Sequence, residues 1–351
     1  MKKKIVTLLA VMLIAGTVCG SAFAARGKQK SLDVLPLFSS QSNQANRLWV
    51  GTFQLAWNDL MDGIVKGPVL FDGKTSDVVK ALNEQSFKAS QLDESSYYKT
   101  YGETSPELKK TIETAIKEKF GETSDILNSG DWSKGKGKYT VYAMLKKDFK
   151  FVHAFDKLKP AKFANSSKKV EYFGINSKSN SQLYDNVSVL FYNSSKDFAV
   201  GVLTQGADVV YLYRTNDNKS FDKLYADMMK KQSEYNDISM FGEKDELKIP
   251  NISLYSLKSF DELCGKRIKG TDIMLDQAVE SVDFKMNNEG VKLKSEAMLM
   301  TKLSALAPQA SHPRKFYFDD TFVIFLQESD KNQPYFALRV NDVAMINKLK
   351  K

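Results

Sequence analysis

The first third of the chain carries apolar residues at helical spacing. They recur near the 3.6-residue period over 46–65 and again over 76–89, which predicts a helix in each range. A third helix is expected to begin after Ser105, a good N-cap, with Pro106 at its first position, and to end at Gly121. This part of the chain is therefore predicted to be mainly helical.

From residue 138 onward the pattern changes to short runs rich in Val, Tyr and Phe, separated by Asn, Ser, Asp and Gly. These runs predict strands at 139–155, 169–175, 186–192, 197–204, 207–213, 247–256, 280–287, 315–319, 321–327 and 335–340. Helices are expected between them at 221–231 and, as a short turn, at 259–265. Helices that precede strands without regular alternation predict an α+β fold with large, mostly antiparallel sheets.

One strand pattern stops and then resumes. Val282, Phe284 and Met286 share one face of a strand that ends at Asn287, and Gly290 permits a sharp change of direction. The alternation then returns, with apolar or small residues on one face (Val291, Leu293, Ser295, Ala297, Leu299, Thr301) and mostly charged or flexible residues on the other (Lys292, Lys294, Glu296, Met298, Met300, Lys302). A slip of one residue would bury the charged face, so one register is strongly preferred. The segment is predicted to be able to join a sheet as an additional strand.

The N-terminal segment has the pattern of an export signal. Lysines at 2–4 precede an apolar stretch too short to span a bilayer, and 22–24 reads Ala-Phe-Ala, the small-x-small pattern of a cleavage site. We expect cleavage after Ala24, with lipid attachment at Cys19 as the alternative. The predicted organisation is a signal peptide over 1–24, a flexible tether over 25–42 and a single domain over 43–351, in a bacterial protein that is secreted or held in the periplasm or cell envelope.

Charge and cysteine content narrow the classes of function. The net charge of +9 falls to +6 once the three leader lysines are removed, and both signs are spread along the chain. This distribution favours mild attraction to anionic partners and argues against nucleic-acid binding. Beyond the leader Cys264 is the single cysteine, so an intramolecular disulfide is excluded. No later segment is apolar for long enough to predict a transmembrane helix.

The residue types of known catalytic and metal sites are sparse. His153 lies in an aromatic strand pattern and His312 in an irregular run, where packing and solvation explain them better than catalysis does. The sequence has no nucleophile elbow, phosphate-binding glycine loop or HExxH motif. Asp319 and Asp320 suit a turn, because adjacent residues of a strand face opposite sides. We therefore expect no enzyme and no bound cofactor or metal, with a hydrolase as an alternative.

The interrupted strand resembles the hinge of serpins, a family of serine protease inhibitors. FKMNNEGVKLKSEA (284–297) is similar to the strand and the Glu- and Gly-containing hinge that lead into the family's exposed reactive loop. The segment 315–342 resembles the closing strands of the family in order, spacing and hydrophobicity. Weaker similarity upstream extends the resemblance over roughly residues 105–342, although the Ser-Pro-x-Ser signature of the family is not visible around Trp57.

The resemblance implies a serpin-like α+β fold with an exposed loop at about 291–311, and a mechanism. A protease that attacks the loop forms an acyl-enzyme, after which the cleaved loop inserts into the central sheet and distorts the trapped protease. The implied partner is a target protease of serine or cysteine type, and the protein would act as a monomer. The implied hinge comprises Asn288, Glu289, Gly290, Val291, Leu293 and Ser295, and the candidate scissile region comprises Lys302, Leu303, Ser304, Ala305 and Leu306.

Two departures from the family pattern leave the function open. Inhibitory members carry small residues after the hinge, whereas this chain places the bulky Leu293 on the inserting face, and its loop is longer than usual. One expectation is an inhibitor that acts by loop insertion. The alternative is a non-inhibitory serpin-like binding or scaffold protein at the cell envelope. In a plainer alternative, 291–301 is an ordinary strand that is already paired in a sheet.

Overall fold

The computed structural model describes residues 32–164, 166, 168–292 and 312–349. The strands are β1 (Asp33–Leu35), β2 (Arg47–Val50), β3 (Tyr97–Glu103), β4 (Tyr139–Leu145), β5 (Asp148–Lys150), β6 (Asp156–Lys162), β7 (Lys169–Ile175), β8 (Val187–Ser194), β9 (Asp197–Leu203), β10 (Asp208–Arg214), β11 (Glu246–Pro250), β12 (Ile252–Ser259), β13 (Lys266–Arg267), β14 (Met274–Leu275), β15 (Val279–Met286), β16 (Gly290–Lys292), β17 (Lys315–Tyr317), β18 (Phe322–Glu328) and β19 (Phe336–Val340). The α-helices are α1 (Thr52–Asp59), α2 (Asp77–Leu82), α3 (Pro106–Phe120), α4 (Phe221–Glu234) and α5 (Val343–Ile346), with a π-helical turn at Leu60–Val65. Short 3₁₀ turns lie at Ala89–Gln91, Glu94–Ser96, Leu127–Ser129, Ser181–Asn186 and Asp261–Leu263. Most strand pairs are antiparallel, and the predicted α+β class is confirmed.

A seven-stranded sheet, ordered β1-β2-β19-β18-β10-β9-β8, forms the centre of the molecule. Every residue of β18 and β19 is buried, because other elements cover both faces of this sheet. Phe221 of α4 packs edge-on against Phe325 on one face, with ring centroids 6.3 Å apart. On the other face Phe284 of β15 stacks on Phe336 at 4.6 Å. The layer that contains β15 therefore lies directly on the central sheet.

The remaining strands form smaller sheets around this core. One is ordered β17-β11-β7-β6, another β12-β15-β16-β5, and β3 pairs with β4 alone. Because β5 follows β4 after two residues, the β3–β4 pair and the β12-β15-β16-β5 sheet are two halves of one layer. Helix α1 packs under β4. Among the described residues, no helix combines the length and apolar character needed to cross a bilayer.

Helix α3 has the bounds that the sequence predicts. The Ser105 hydroxyl accepts a hydrogen bond from the Leu108 backbone N–H at 3.1 Å, which satisfies one of the donors left open at a helix start. Gly121 ends the helix at φ +65°, a backbone conformation that glycine adopts without strain. Ile112 and Ile116 are buried in a small core of their own beside β4, as the predicted apolar stripe requires.

The helix predicted over 46–65 is wrong in its first residues. Strand β2 occupies that position and pairs with β19, and helix α1 begins only at Thr52. A strand buried on both faces is a short apolar run, which periodicity does not distinguish from a buried helical turn. Gly51 joins the two elements because a Cβ at this position would lie 2.2 Å from the Phe87 ring. The helix predicted over 76–89 is shorter than expected and covers only α2.

The flexible tether predicted over 25–42 is corrected where the structure describes it. Strand β1 lies in this range and pairs in parallel with β2. The ring of Phe38 lies 4.8 Å from that of Trp49, centroid to centroid. The buried apolar residues of this segment are Leu32, Val34, Leu35, Leu37 and Phe38. The polar composition of the range suggested a solvated segment, but the apolar residues of DVLPLF outweigh it by joining the core.

Candidate functional site

Strand β16 lies between β15 and β5 and runs antiparallel to both. Val291 is opposite Met286 on one side and Phe149 on the other. Val291 is fully buried, whereas Lys292 is exposed. This is the register that the alternation of apolar and charged residues predicts. The first residue of the apolar face is therefore already packed in the sheet.

The turn before β16 is closed by Asn287. Its Oδ1 accepts hydrogen bonds from the backbone N–H groups of Glu289 at 2.9 Å and Gly290 at 3.3 Å, and its own N–H donates to the Gly290 carbonyl. Asn288 anchors the turn to the segment that follows β5. Its side-chain amide donates to the Phe155 carbonyl at 3.3 Å, and its carbonyl accepts from the Phe155 N–H at 2.8 Å. The described part of the predicted hinge is therefore a turn that hydrogen bonds close and anchor.

Two further contacts bind the hinge to the β5 side. The Glu289 carbonyl accepts a hydrogen bond from the Phe151 N–H at 3.0 Å. At Gly290 the strands β16 and β5 approach so closely that a Cβ would lie 2.1 Å from the Phe149 carbonyl oxygen. Glycine is required here because of this close approach of two backbones.

Below β16 the layer is open. Strand β4 pairs with β3, and β15 pairs with β12 along its length but reaches β16 only through Lys285 and Met286. Within the part of the chain that the structure describes, no strand lies between the facing edges of β4 and β15. A cleft of about 410 Å³ separates these edges and is lined by 141–146 on one side and 277–283 on the other. Unpaired strand edges of this kind can accept an added strand.

Two lysines fix the break between β4 and β5. Lys147 is buried, and its Nζ forms ion pairs with Asp208, at 3.0 Å, and with Glu328 of the central sheet. Burial raises the pKa of Asp208, while the ammonium of Lys147 acts in the opposite direction. Lys146 forms an ion pair with Glu122 at 2.7 Å, near the end of α3. These contacts hold the β4–β5 edge of the cleft to the elements behind it.

The floor of the cleft carries a buried acid, Glu280. Its Oε1 accepts a hydrogen bond from the Thr52 hydroxyl at 2.6 Å. Burial raises the pKa of Glu280 to about 7, although hydrogen bonds from Thr52 and from the Phe53 backbone oppose the shift. Thr52 and Phe53 begin α1, and the N-cap of that helix, Gly51, has no side chain to accept their hydrogen bonds. Glu280 therefore caps α1 from another strand, where a carboxylate is electrostatically favourable.

The sequence-predicted site residues fall into two groups. Asn288, Glu289, Gly290 and Val291 come together at the upper end of the cleft. The residues Leu293, Ser295, Lys302, Leu303, Ser304, Ala305 and Leu306 lie outside the described residues.

Sequence reasoning missed the groups that shape the cleft. Glu280 carried a signal, because it shares the apolar face of the strand with Val282 and Phe284, where a single acid is unusual. Lys147 and Thr52 carried none, since lysine and threonine are ordinary residues in a strand end and a helix start. Their roles depend on partners that are distant in sequence, such as Glu328.

Comparison with known proteins yields likeness of fold only. No family model and no curated protein matches the sequence. Among solved structures, the chain is similar to Serpin48, a highly specific serpin of the insect Tenebrio molitor, with a TM-score of 0.49 and 14% identity over 85% of this chain and 92% of that one. It is also similar to human thyroxine-binding globulin in complex with thyroxine, with a TM-score of 0.44 and 10% identity over 68% of this chain and 65% of that one. Independently of these likenesses, the order of elements along the chain is the one that the serpin resemblance implies. This order is β15, the hinge turn, β16, β18 and β19.

Proposed function

We propose that this chain is a serpin-like protease inhibitor that traps a serine or cysteine protease by loop insertion. The region 293–311 would act as bait, and the cleaved segment that follows Val291 would fill the cleft as a new strand between β4 and β15. The observation that carries the proposal is β16, which is already paired on both sides at the upper end of a layer that is open below it.

The register of β16 supports this proposal. Val291 pairs with Met286. If the same antiparallel pairing with β15 continued beyond Lys292, Leu293 would lie opposite Phe284 and Ala297 opposite Glu280. Phe284 is fully buried, so an apolar side chain fits opposite it, and a small one fits opposite the carboxyl. Each Leu added to the buried face would contribute about 1.5–3 kcal/mol, and each new ladder hydrogen bond about 1 kcal/mol.

We further propose that the protein acts after export, in the periplasm, at the cell envelope or outside the cell. The lysines at 2–4 and the Ala-Phe-Ala pattern before residue 25 support this placement. A cleaved signal peptide would be detected by N-terminal sequencing of the protein recovered from the fraction outside the inner membrane.

A non-inhibitory serpin-like binding or scaffold protein is the second candidate. It is favoured by the same hinge, because turn and strand are tied down on both sides by hydrogen bonds before any cleavage. A hinge that is already ordered has less freedom to move, and the bulk of Leu293 would slow insertion further. A protease would then cut the loop without being trapped.

Incubation with a panel of serine and cysteine proteases, followed by a denaturing gel, separates the two candidates. An inhibitor yields a covalent band that survives denaturation, whereas a scaffold yields only cleaved chain. The variant Val291→Arg puts a charge at a position that is already buried in the sheet, so β16 should leave the sheet and no longer guide insertion, and the band should disappear while cleavage continues. Lys292→Gln alters the exposed neighbour and is the matched control, which should retain the band. A band of equal intensity in Val291→Arg would contradict insertion in this register.

A further inference from the structure

The carboxyl of Glu280 has one oxygen without a partner. Oε1 accepts the hydroxyl of Thr52, and the Phe53 backbone N–H at the start of α1 also acts on the carboxyl, whereas Oε2 is buried and has no hydrogen-bond partner among the residues that the structure describes. A buried polar atom in this condition costs free energy, and native proteins usually satisfy it. Since Glu280 lines the floor of the cleft, its carboxyl borders the space that a molecule entering the cleft would occupy.

The charged groups around the cleft leave this carboxyl without a counter-ion. They are Glu122, Asp125, Lys146, Asp283, Lys285 and Lys292. The Nζ of Lys146 pairs with Glu122 at 2.7 Å, and that of Lys285 lies 3.5 Å from Asp283, with both of the latter side chains about half exposed. Among the described ion pairs, none includes Glu280. A cation brought in from outside would therefore be the first to compensate it.

Part of the cleft lining around Glu280 is apolar. Phe53 and Trp57 of α1 line the cleft beneath it, and Ala143 of β4 and Val282 of β15 line its sides. The cleft volume, about 410 Å³, lies within the range of sites that hold small organic molecules. Apolar side chains beside a single buried acid favour a ligand that combines an apolar body with one positively charged donor.

We propose that the cleft binds a small primary amine with an apolar body, whose ammonium group donates to Glu280 and whose body packs on Phe53 and Trp57. The site uses only described residues and does not depend on loop cleavage. The gel assay above tests trapping of a protease, and ligand binding tests this site, so either proposal can fail while the other stands.

Calorimetric titration with benzylamine tests the proposal, with benzyl alcohol as the uncharged probe of similar shape. The ammonium of benzylamine requires the ionised carboxylate, and burial places the pKa of Glu280 at about 7. Affinity for benzylamine should therefore rise several-fold between pH 6 and pH 8, whereas affinity for benzyl alcohol should not. Equal pH dependence for the two probes, or no binding of benzylamine at either pH, would overturn the proposal.

Two variants locate the site. Glu280→Gln keeps the shape of the side chain and should weaken benzylamine binding at pH 8 at least tenfold. Asp283→Asn removes a half-exposed carboxylate from the rim of the same cleft and should leave binding unchanged. The opposite pattern would place the amine on the rim and refute the proposed contact. Should Glu280→Gln not fold, Ala143→Phe, which fills the wall beside the carboxyl, replaces it and should abolish binding of both probes.

Discussion

The ion-pair cluster around Lys147 provides a direct test of what holds the β4–β5 edge in place. In Lys147→Met an apolar side chain of similar length replaces the ammonium, and Asp208 and Glu328 stay buried without their cation. The exposed fractions of the three side chains are 5%, 12% and 3%, respectively. Removing one partner of a buried ion pair costs about 3–5 kcal/mol, because the remaining charge is left uncompensated.

This loss is measurable by urea or thermal denaturation. A decrease of 3–5 kcal/mol in the free energy of unfolding corresponds to a fall of roughly 5–10 °C in the melting temperature of a chain of this size. Lys285→Met is the matched control, since Lys285 and Asp283 are 3.5 Å apart and about half exposed. Surface pairs of this kind contribute about 0–1 kcal/mol, so the control should melt close to the wild type.

The pH dependence identifies the cause of the loss. Lys147 lowers the pKa of Asp208 against the effect of burial, so without Lys147 the pKa of Asp208 should rise further in the folded state, and protonation at low pH removes the uncompensated charge. The difference between Lys147→Met and the wild type should therefore be larger at pH 8 than at pH 5. A loss below about 1 kcal/mol, or one that does not change with pH, would refute the assignment of a buried electrostatic anchor.

Two further outcomes are expected. Gly290→Ala places a Cβ 2.1 Å from the Phe149 carbonyl oxygen. Hydrogen exchange at the Phe151 amide should therefore become at least roughly tenfold faster. Gly67→Ala is the control, because a Cβ at Gly67 meets open space, and it should leave this exchange rate unchanged. The folded pKa of Glu280, about 7, lies above the ordinary value of 4.5; the folded state then binds more protons than the unfolded state, and wild-type stability falls as pH rises between these values. Glu280→Gln should remove this fall, so between pH 5 and pH 8 its free energy of unfolding, measured by urea titration, should rise by about 2–3 kcal/mol relative to that of the wild type. Parallel plots of unfolding free energy against pH for the two proteins would contradict a buried carboxyl with a raised pKa.

Much of the fold was accessible from the sequence because central strands and a capped helix carry strong local signals. The predicted strands at 169–175, 197–204 and 321–327 match β7, β9 and β18 within a residue or two. The helix α3 follows from its caps. In these elements, local pattern and tertiary environment agree.

Two of the missed strands, β6 and β3, lie at sheet edges, where the local pattern is weak. Strand β6, DKLKPAK, is rich in lysine and includes Pro160 within a register shift. Lysine and proline are typical of edge strands, which avoid pairing with other chains, but they resemble a loop when the sequence is read alone. Strand β3, YYKTYGE, is half-exposed and likewise ends a pair.

Two longer predictions were divided by the structure. The strand predicted over 139–155 is broken between β4 and β5 by the lysines at 146 and 147, and the strand predicted over 247–256 is broken after Pro250. The breaks reflect contacts with distant partners. For this reason the cleft itself could not be located from the sequence, although the turn at 287–290 and the buried face of Val291 at its upper end could.

The position of Val291 also has a kinetic consequence. A free loop end would have to search for its place along two facing edges, and the entropy of closing that loop would slow the first contact. Here the first contact exists, so any added strand would zip downward from Lys292, one residue pair at a time, and start against Lys147 and Phe284. The residue pairs of the added strand would then form in a fixed order. The slow step would be the separation of β4 from β15, and not the search of the added strand for its place between them.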